Sequence, residues 1–359
     1  MSRVVVAMSG GVDSSVAAFL CLEAGHEVVG VTMQVWPDAP EEVLEREGGC
    51  CSLSAVEDAR RVCSILGIPH YVTNLKREFE DEVIDEFIKE YARGRTPNPC
   101  ITCNRALKFG HLLRRARELE AGYVATGHYA RVEKQAGRHL LKKAEDESKD
   151  QSYALYSLDQ EQLAHALFPV GSLSKREVRR IAKERGLPTS EKPESQDICF
   201  VTGGDYRDFL AGRRPEALSP GSIEDTRGRK LGSHTGIAHF TVGQRKGLGI
   251  ASGRPMYIVD IRPDTNTVVA GTWEESLSQG LLARECNWIE FDRPAGPFRA
   301  DAKIRYKSNP APALITPRDG GVVEVIFDRP QRAVTPGQAA VFYHGDVVAG
   351  GGTIVSAVK

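Results

Sequence analysis

The chain has 359 residues, enough for two or three domains at about 100–200 residues each, and its 41% hydrophobic and 26% charged content with 35 glycines and 19 prolines excludes wholesale disorder, collagen and coiled coil. A net charge of −1, from 47 basic and 48 acidic residues, excludes a generally polycationic nucleic-acid binder but leaves local patches open. No apolar run approaches the ~18 residues of a membrane span. Gly10, Gly11 and Asp13 also interrupt the amino-terminal apolar stretch before a secretory core could form. A cytoplasmic chain with no membrane association is therefore expected, and its eight cysteines read as buried, metal-binding or catalytic rather than as a disulfide framework.

In chain order, Val4 to Ala7 reads as a buried strand and Val12 to Glu23 as a helix with Val16, Phe19 and Leu20 inward. A second strand is expected over Val28 to Met33. Ser54 with Glu57 suggests a capping box for a helix that Gly67 ends, and His70 to Thr73 supplies a third strand. Tyr123 to Thr126 is a further short strand ending in Gly127-His128, so its carboxyl end should open at the same sheet edge as the first. Residues 159–212 look mainly helical, with one helix over Leu158 to Phe168 and another over Ser174 to Arg185, opened by a Ser174/Glu177 box and closed by Gly186. From about Gly221, short β-branched runs such as Tyr257 to Ile261, Val322 to Phe327 and Ala340 to Tyr343 alternate with turns, as in a small antiparallel barrel. The expected fold is α/β plus β. A parallel-sheet, Rossmann-like domain spans 1–158, a small mainly helical central domain 159–220, and a carboxyl-terminal antiparallel β-barrel 221–359.

The sharpest local signal is Ala7-Met8-Ser9-Gly10-Gly11-Val12-Asp13-Ser14-Ser15, between a strand and a helix. Two glycines let backbone amides approach an anion, the serines add donors, and the helix start adds positive potential, so the segment reads as a phosphate cradle. It lacks both the Gly-Lys-Ser/Thr ending of the common NTPase loop and the Gly-x-Gly-x-x-Gly of dinucleotide binders, which argues against γ-phosphate hydrolysis and hydride transfer. A carboxylate such as Asp13 beside phosphates calls for a cation, and Mg²⁺ is the natural one.

Residues 92–117 carry seven Lys/Arg (Arg93, Arg95, Arg105, Lys108, Arg114, Arg115, Arg117) and no Asp or Glu, which fits either a contact surface for a phosphate backbone or a solvated helix face. Within it lies Thr96-Pro97-Asn98-Pro99-Cys100-Ile101-Thr102-Cys103, a proline-stiffened loop whose cationic neighbours should stabilise a thiolate. A single Cys-x-x-Cys is weak evidence for zinc, and Cys50-Cys51 is too close-set to complete a site. Cys199 lies in a polar loop. Cys21, Cys63 and Cys286 read as packing residues.

Met8 to Ser15, Gly94 to Pro99 with Cys103-Asn104, Ala125 to Tyr129, Lys149 to Tyr153, Ser195 to Phe200, Gly243 to Gly249 and Thr335 to Gln338 together resemble, in order and over nearly the whole chain, the bacterial tRNA-specific 2-thiouridylase family of the ATP-pyrophosphatase (PP-loop) superfamily. The resemblance implies ATP-dependent 2-thiolation of the wobble uridine of Lys, Glu and Gln tRNAs: ATP adenylates uridine O2, sulfur attacks C2, and AMP leaves. It implies that Ala7, Met8, Ser9, Gly10, Gly11, Val12, Asp13, Ser14, Met33 and Gly127 line the ATP site, and that Asn98, Pro99 and Cys100 lie near the target base. Cys103 matches the family's nucleophile and Cys199 its persulfide-bearing cysteine. His128, Lys149, Asp150, Gln151, Arg305, Tyr306 and Gln338 match positions that touch tRNA.

The implied partners are tRNA and a sulfur donor, either a persulfide carrier protein or inorganic sulfide, with no role for DNA. One departure stands out: many members carry Asp where this chain has Cys100. Cys100, Cys103 and Cys199 could therefore hold a [4Fe–4S] cluster in an alternative, cluster-dependent form of the same reaction. Two competing readings are an adenylating synthetase with a nitrogen nucleophile and a non-catalytic RNA-binding module stabilised by a structural metal. The cysteine pair separates the first from sulfur transfer, and AMP formation in the presence of tRNA separates the second.

Overall fold

The computed structural model describes residues 2–35, 53–193, 198–201, 205–213 and 218–359. Cys50 and Cys51, and Ser195, Gln196 and Asp197 of the Cys199 motif, lie outside the described residues. The chain divides into two compact units. One comprises Met1–Ile84, Pro99–Gly204 and Asp346–Val348, and the other Asp85–Asn98, Asp205–Gly345 and Ala349–Lys359.

The first unit is built on the run Val4-Val5-Val6, each 0% exposed, which only a strand covered on both faces can bury. That strand, β1 (Arg3–Ala7), is followed by helix α1 (Val12–Glu23), β2 (Glu27–Gln34), helix α2 (Leu53–Leu66), β3 (His70–Asn74) and β4 (Tyr123–Ala125). A hairpin of β5 (Ala130–Gln135) and β6 (Arg138–Lys143) turns on Ala136 and Gly137, both at positive φ, and was not expected from the sequence.

Leu158 to Phe168 does not form the single expected helix. Asp159 and Gln162 cap a short helix, Gln160–Ala164, after which β7 (Ala166–Leu167) pairs in parallel with β4. The open edge of β4 decides this: Val124 N–H donates to His165 O (2.9 Å) and Thr126 N–H to Leu167 O (3.1 Å), bonds that a continued helix would forfeit. The sheet is parallel throughout, in the order β3-β2-β1-β4-β7, so the chain reverses direction across it between β1 and β4. In such sheets the crevice at the carboxyl ends of the two strands flanking that reversal is where ligands bind.

Helix Lys175–Glu184 opens on the expected box, with the Ser174 side chain accepting from Glu177 N–H and the Glu177 carboxylate accepting from Ser174 N–H. Its Val178 and Ala182 join Val16, Ala17 and Cys21 of α1 in one buried cluster, so the two helices lie against each other.

In the second unit, β8 (Gly221–Asp225), β9 (Lys230–His234), β10 (Tyr257–Arg262) and β11 (Thr267–Gly271) form a four-stranded sheet in the order β10-β11-β8-β9, closed over Ile223, Ile258 and Val268. Six strands follow: β12 (Leu277–Trp288), β13 (Phe298–Lys303), β14 (Ala311–Pro317), β15 (Val323–Arg332), β16 (Ala339–His344) and β17 (Val347–Val358). Their order β12-β15-β14-β13-β16-β17 returns on itself through antiparallel pairing of β12 with β17, a closed barrel filled by Leu281, Ile315, Val325, Phe342 and Ile354.

Candidate active site

The loop Met8 to Gly11 leaves the carboxyl end of β1 at the reversal point and enters α1 at Val12. Gly10 adopts φ +67°, and a Cβ there would stand 2.4 Å from Ala55 O, so both conformation and packing demand glycine. No side chain caps α1; its N-cap is Gly11, which leaves amide N–H groups of the first turn for an anion. The serines brace the loop from within. Ser9 N–H donates to Ser14 Oγ (3.2 Å), while Ser14 Oγ and Ser15 Oγ donate to Gly11 O at 3.0 and 2.9 Å. Met8 and Met33, beside the carboxyl ends of β1 and β2, are 2% and 7% exposed.

Asp13 is held by two groups that sequence reasoning missed. Lys175 Nζ donates to both carboxylate oxygens at 2.7 and 2.8 Å, and Tyr129 OH donates to Oδ1 at 2.7 Å. The cation expected beside Asp13 is thus in part protein-borne. Lys175 follows the Ser174 cap directly, and the contact spans 162 residues, so no local signal could have announced it.

Gly127, at the end of β4, lies so close to the loop that a Cβ would meet Asp13 C and Ser14 N at 2.6 Å. Next to it, His128 Nε2 lies 3.4 Å from Lys108 Nζ and Nδ1 lies 2.7 Å from Thr126 Oγ1. An ammonium only donates, so Nε2 is the acceptor and Nδ1 carries the proton. Lys108 also donates to Asn104 Oδ1 (2.9 Å), and the Asn104 amide donates to Ala154 O (3.0 Å). This network ties the residue after Cys103 to the residue after Gly127.

Burial, then the Lys108 charge, holds the His128 pKa well below its ordinary value, so the native imidazole stays neutral. The unfolded chain takes up that proton below about pH 6.5, so this contribution to stability is complete above that pH and declines on acidification toward the native pKa. Denaturant midpoints measured from pH 8 to 5 should accordingly fall less steeply in His128→Asn than in the parent. Parallel profiles would show that His128 does not carry this dependence.

Cys100 and Cys103 do not sit in a loop as expected. Pro99 begins a short helix, Pro99–Thr102, where its missing N–H costs nothing, and the chain passes directly into a π-helical segment, Cys103–His111, anchored by buried Asn104, Leu107 and Phe109. Cys100 is exposed and Cys103 half-buried. Cys199 is also half-buried, and the next residue, Phe200, is 3% exposed and packs edge-on against Phe79 with centroids 5.6 Å apart. The segment Lys76–Ile84, which carries Phe79, lies in turn against the helical stretch that begins at Pro99, so Phe200 and the helix bearing Cys103 border the same segment.

Among the described residues, which include Cys100, Cys103 and Cys199, no group of three or more His, Cys, Asp or Glu side chains is close enough to hold a metal ion. Burial pushes the Cys21 and Cys286 thiols up to about 12 and Cys63 up to about 11, as packing residues require.

Several residues matched to tRNA contact also have internal duties. Gln151 Oε1 accepts from Tyr129 N–H (2.9 Å) and so supports the Asp13 partner, while Asp150 accepts from Ala144 N–H and Ser152. In the second unit Gln338 Nε2 donates to Thr96 O (2.8 Å) and Pro97 O (3.3 Å), shaping the stretch that leads to Asn98. Lys149 and Arg305 are half-buried, and Tyr306 is 41% exposed with Lys303 over its ring at 5.8 Å.

The basic segment proves largely compensated from outside itself. Arg93 and Arg95 pair with Glu90, Arg115 with Glu118 and Arg117 with Glu161, which supports a solvated, ion-paired face at those four positions.

A phosphate loop at the reversal point of a parallel sheet defines a nucleotide-binding α/β domain, and family models agree: the tRNA methyl transferase HUP domain matches residues 2–203, the tRNA methyl transferase PRC-barrel domain 207–272, and the aminomethyltransferase β-barrel domain 278–354. A relative described as tRNA-specific 2-thiouridylase MnmA 1, from Thermoanaerobacter sp. (strain X514), is 55% identical over 100% of this chain and 99% of its own length. The tRNA-specific 2-thiouridylase MnmA of Acetivibrio thermocellus is 54% identical over 98% of this chain and 99% of its own. Among solved structures, the NMN synthetase from Francisella tularensis is 16% identical with a TM-score of 0.34, covering 60% of this chain and 77% of that one. The chain belongs to the tRNA-specific 2-thiouridylase family.

Proposed function

We propose that this protein is a tRNA-uridine 2-sulfurtransferase that uses ATP to exchange oxygen for sulfur at C2 of the wobble uridine in Lys, Glu and Gln tRNAs. The observation that carries the reading is the uncapped glycine–serine loop at the β1/β4 reversal, abutted by Gly127, whose neighbour His128 joins a network that runs to the residue beside Cys103.

The loop from Ala7 to Ser14, with Met33 and Gly127, binds ATP. Uridine O2 attacks the α-phosphorus and pyrophosphate leaves, stabilised by amide N–H groups at the start of α1. Asp13 keeps a lone pair beyond those used by Lys175 and Tyr129 and would hold Mg²⁺, which supplies charge neutralisation at the phosphates. The terminal sulfur of a Cys199 persulfide then attacks C2, expelling AMP and leaving the nucleoside joined to Cys199 through a disulfide. The Cys103 thiolate attacks Cys199 Sγ, which releases 2-thiouridine and forms a Cys103–Cys199 disulfide that an external thiol reduces.

Asn98, Pro99 and Cys100 border the base. Lys149, Arg305 and Tyr306 meet the RNA, while His128, Asp150, Gln151 and Gln338 shape the backbone that it contacts. Incubating tRNA with the protein, ATP, Mg²⁺, a persulfide carrier and a reducing thiol, then digesting it for mass spectrometry, should show uridine replaced by 2-thiouridine with one AMP formed per conversion. Unchanged uridine with this donor, and also with inorganic sulfide, which could only attack C2 directly, would reject the reading.

A further inference from the structure

We propose that Lys175 is a positioning residue for adenylation: its ammonium fixes the Asp13 carboxylate at the phosphate loop and brings there the positive charge against which the ATP phosphates bind. This rests on the ATP-dependent reading above and adds to it a residue from a helix far along the chain.

The ion pair is not a surface pair. The Lys175 side chain is 12% exposed and that of Asp13 30%, and Nζ reaches both carboxylate oxygens. A pair this far withdrawn from solvent is screened much less than an exposed one. Tyr129 completes the arrangement: its hydroxyl donates to Asp13 Oδ1, and its ring lies 5.7 Å from Nζ, so the cation sits between a carboxylate and a π-face.

Lys175 is itself fixed. It is the first residue of a helix whose Ser174/Glu177 box is complete, its own N–H donates to Asp146 Oδ2 (3.0 Å), and Val178 and Ala182 bury the helix against α1. Gly127 allows β4 to close on the Asp13–Ser14 backbone from another side, so Asp13 is constrained through both its main chain and its carboxylate. Without Lys175, an incompletely solvated carboxylate would face the incoming phosphates, and repulsion would weaken ATP at the step where its placement matters most.

The test measures pyrophosphate release by the full chain with tRNA and Mg²⁺ over a range of ATP concentrations. Wild type must show ATP-dependent release; its failure to do so would remove the underlying reading rather than this addition. Lys175→Met should raise the KM for ATP by about 10- to 100-fold, the scale of a lost charge-assisted hydrogen-bond pair, with Lys175→Arg restoring most of it. Should Lys175→Met melt at low temperature, Lys175→Gln, which keeps a donor without the charge, carries the same expectation. Combining Lys175→Met with Asp13→Asn should cost less than the product of the single effects. A KM within twofold of wild type in both uncharged variants, or full multiplication in the double variant, overturns the proposal. So does loss of thermal stability with KM unchanged, the signature of a helix clamp alone.

Discussion

Replacing Cys199 with serine should reduce 2-thiouridine formation by about 1,000-fold or more while pyrophosphate release with tRNA stays within a few-fold of wild type. The division follows from the architecture. The phosphate loop is organised by β1, α1, Gly127 and the helix beginning at Lys175, whereas Cys199 is held through Phe200 and Phe79. Cys103→Ser should behave differently, because the persulfide can still reach C2 but the resulting linkage is not resolved. An enzyme–tRNA adduct that a reducing thiol cleaves should therefore accumulate in Cys103→Ser alone. If Cys199→Ser thiolated tRNA normally with a persulfide donor, the route through that sulfur would be wrong, whatever became of adenylation.

Gly127→Ala should be severely damaging for its size. The added Cβ would stand 2.6 Å from Asp13 C and Ser14 N, backbone atoms with no flexible side chain to yield, so the loop itself must shift. A displacement of about 1 Å in a positioning element costs on the order of 100-fold in rate, and overpacking adds about 1–3 kcal/mol of destabilisation. Gly122→Ala, five residues upstream where nothing lies within 4 Å of the added atom, is the matched control and should leave turnover near wild type. Comparable losses in both variants would mean that strand β4, rather than its contact with the loop, is sensitive.

Both experiments probe elements whose legibility in the sequence was unequal. The run Val4-Val5-Val6 followed by two glycines announces a buried strand and an anion loop because each depends on residues adjacent in the chain, and α1 spans Val12–Glu23 as expected. The Ser174/Glu177 box was readable for the same reason. Strand β7 was not: Ala166-Leu167 carries no strand pattern and is recruited by the unfilled edge of β4. The helical setting of Cys100 and Cys103 was masked by Pro97 and Pro99, since a proline can stiffen a loop or start a helix, and packing of Leu107 and Phe109 makes the choice.

The amino-acid sequence by itself determined the chemistry available here: which segment can bind phosphates, which cysteines can carry sulfur, and where strands and helices alternate, all set by neighbours within a few turns of chain. Only the tertiary structure decided which distant charges meet. Lys175 comes to Asp13 across 162 residues and Glu161 reaches Arg117 across 44, whereas the pairings of Glu90 and Glu118 with Arg93, Arg95 and Arg115 are local ones that sequence spacing allows. The physical reason is range. Propensity and capping act over a few residues, whereas the partner of a charged side chain is whichever group the packing of helices and the open edge of a sheet bring within hydrogen-bonding distance.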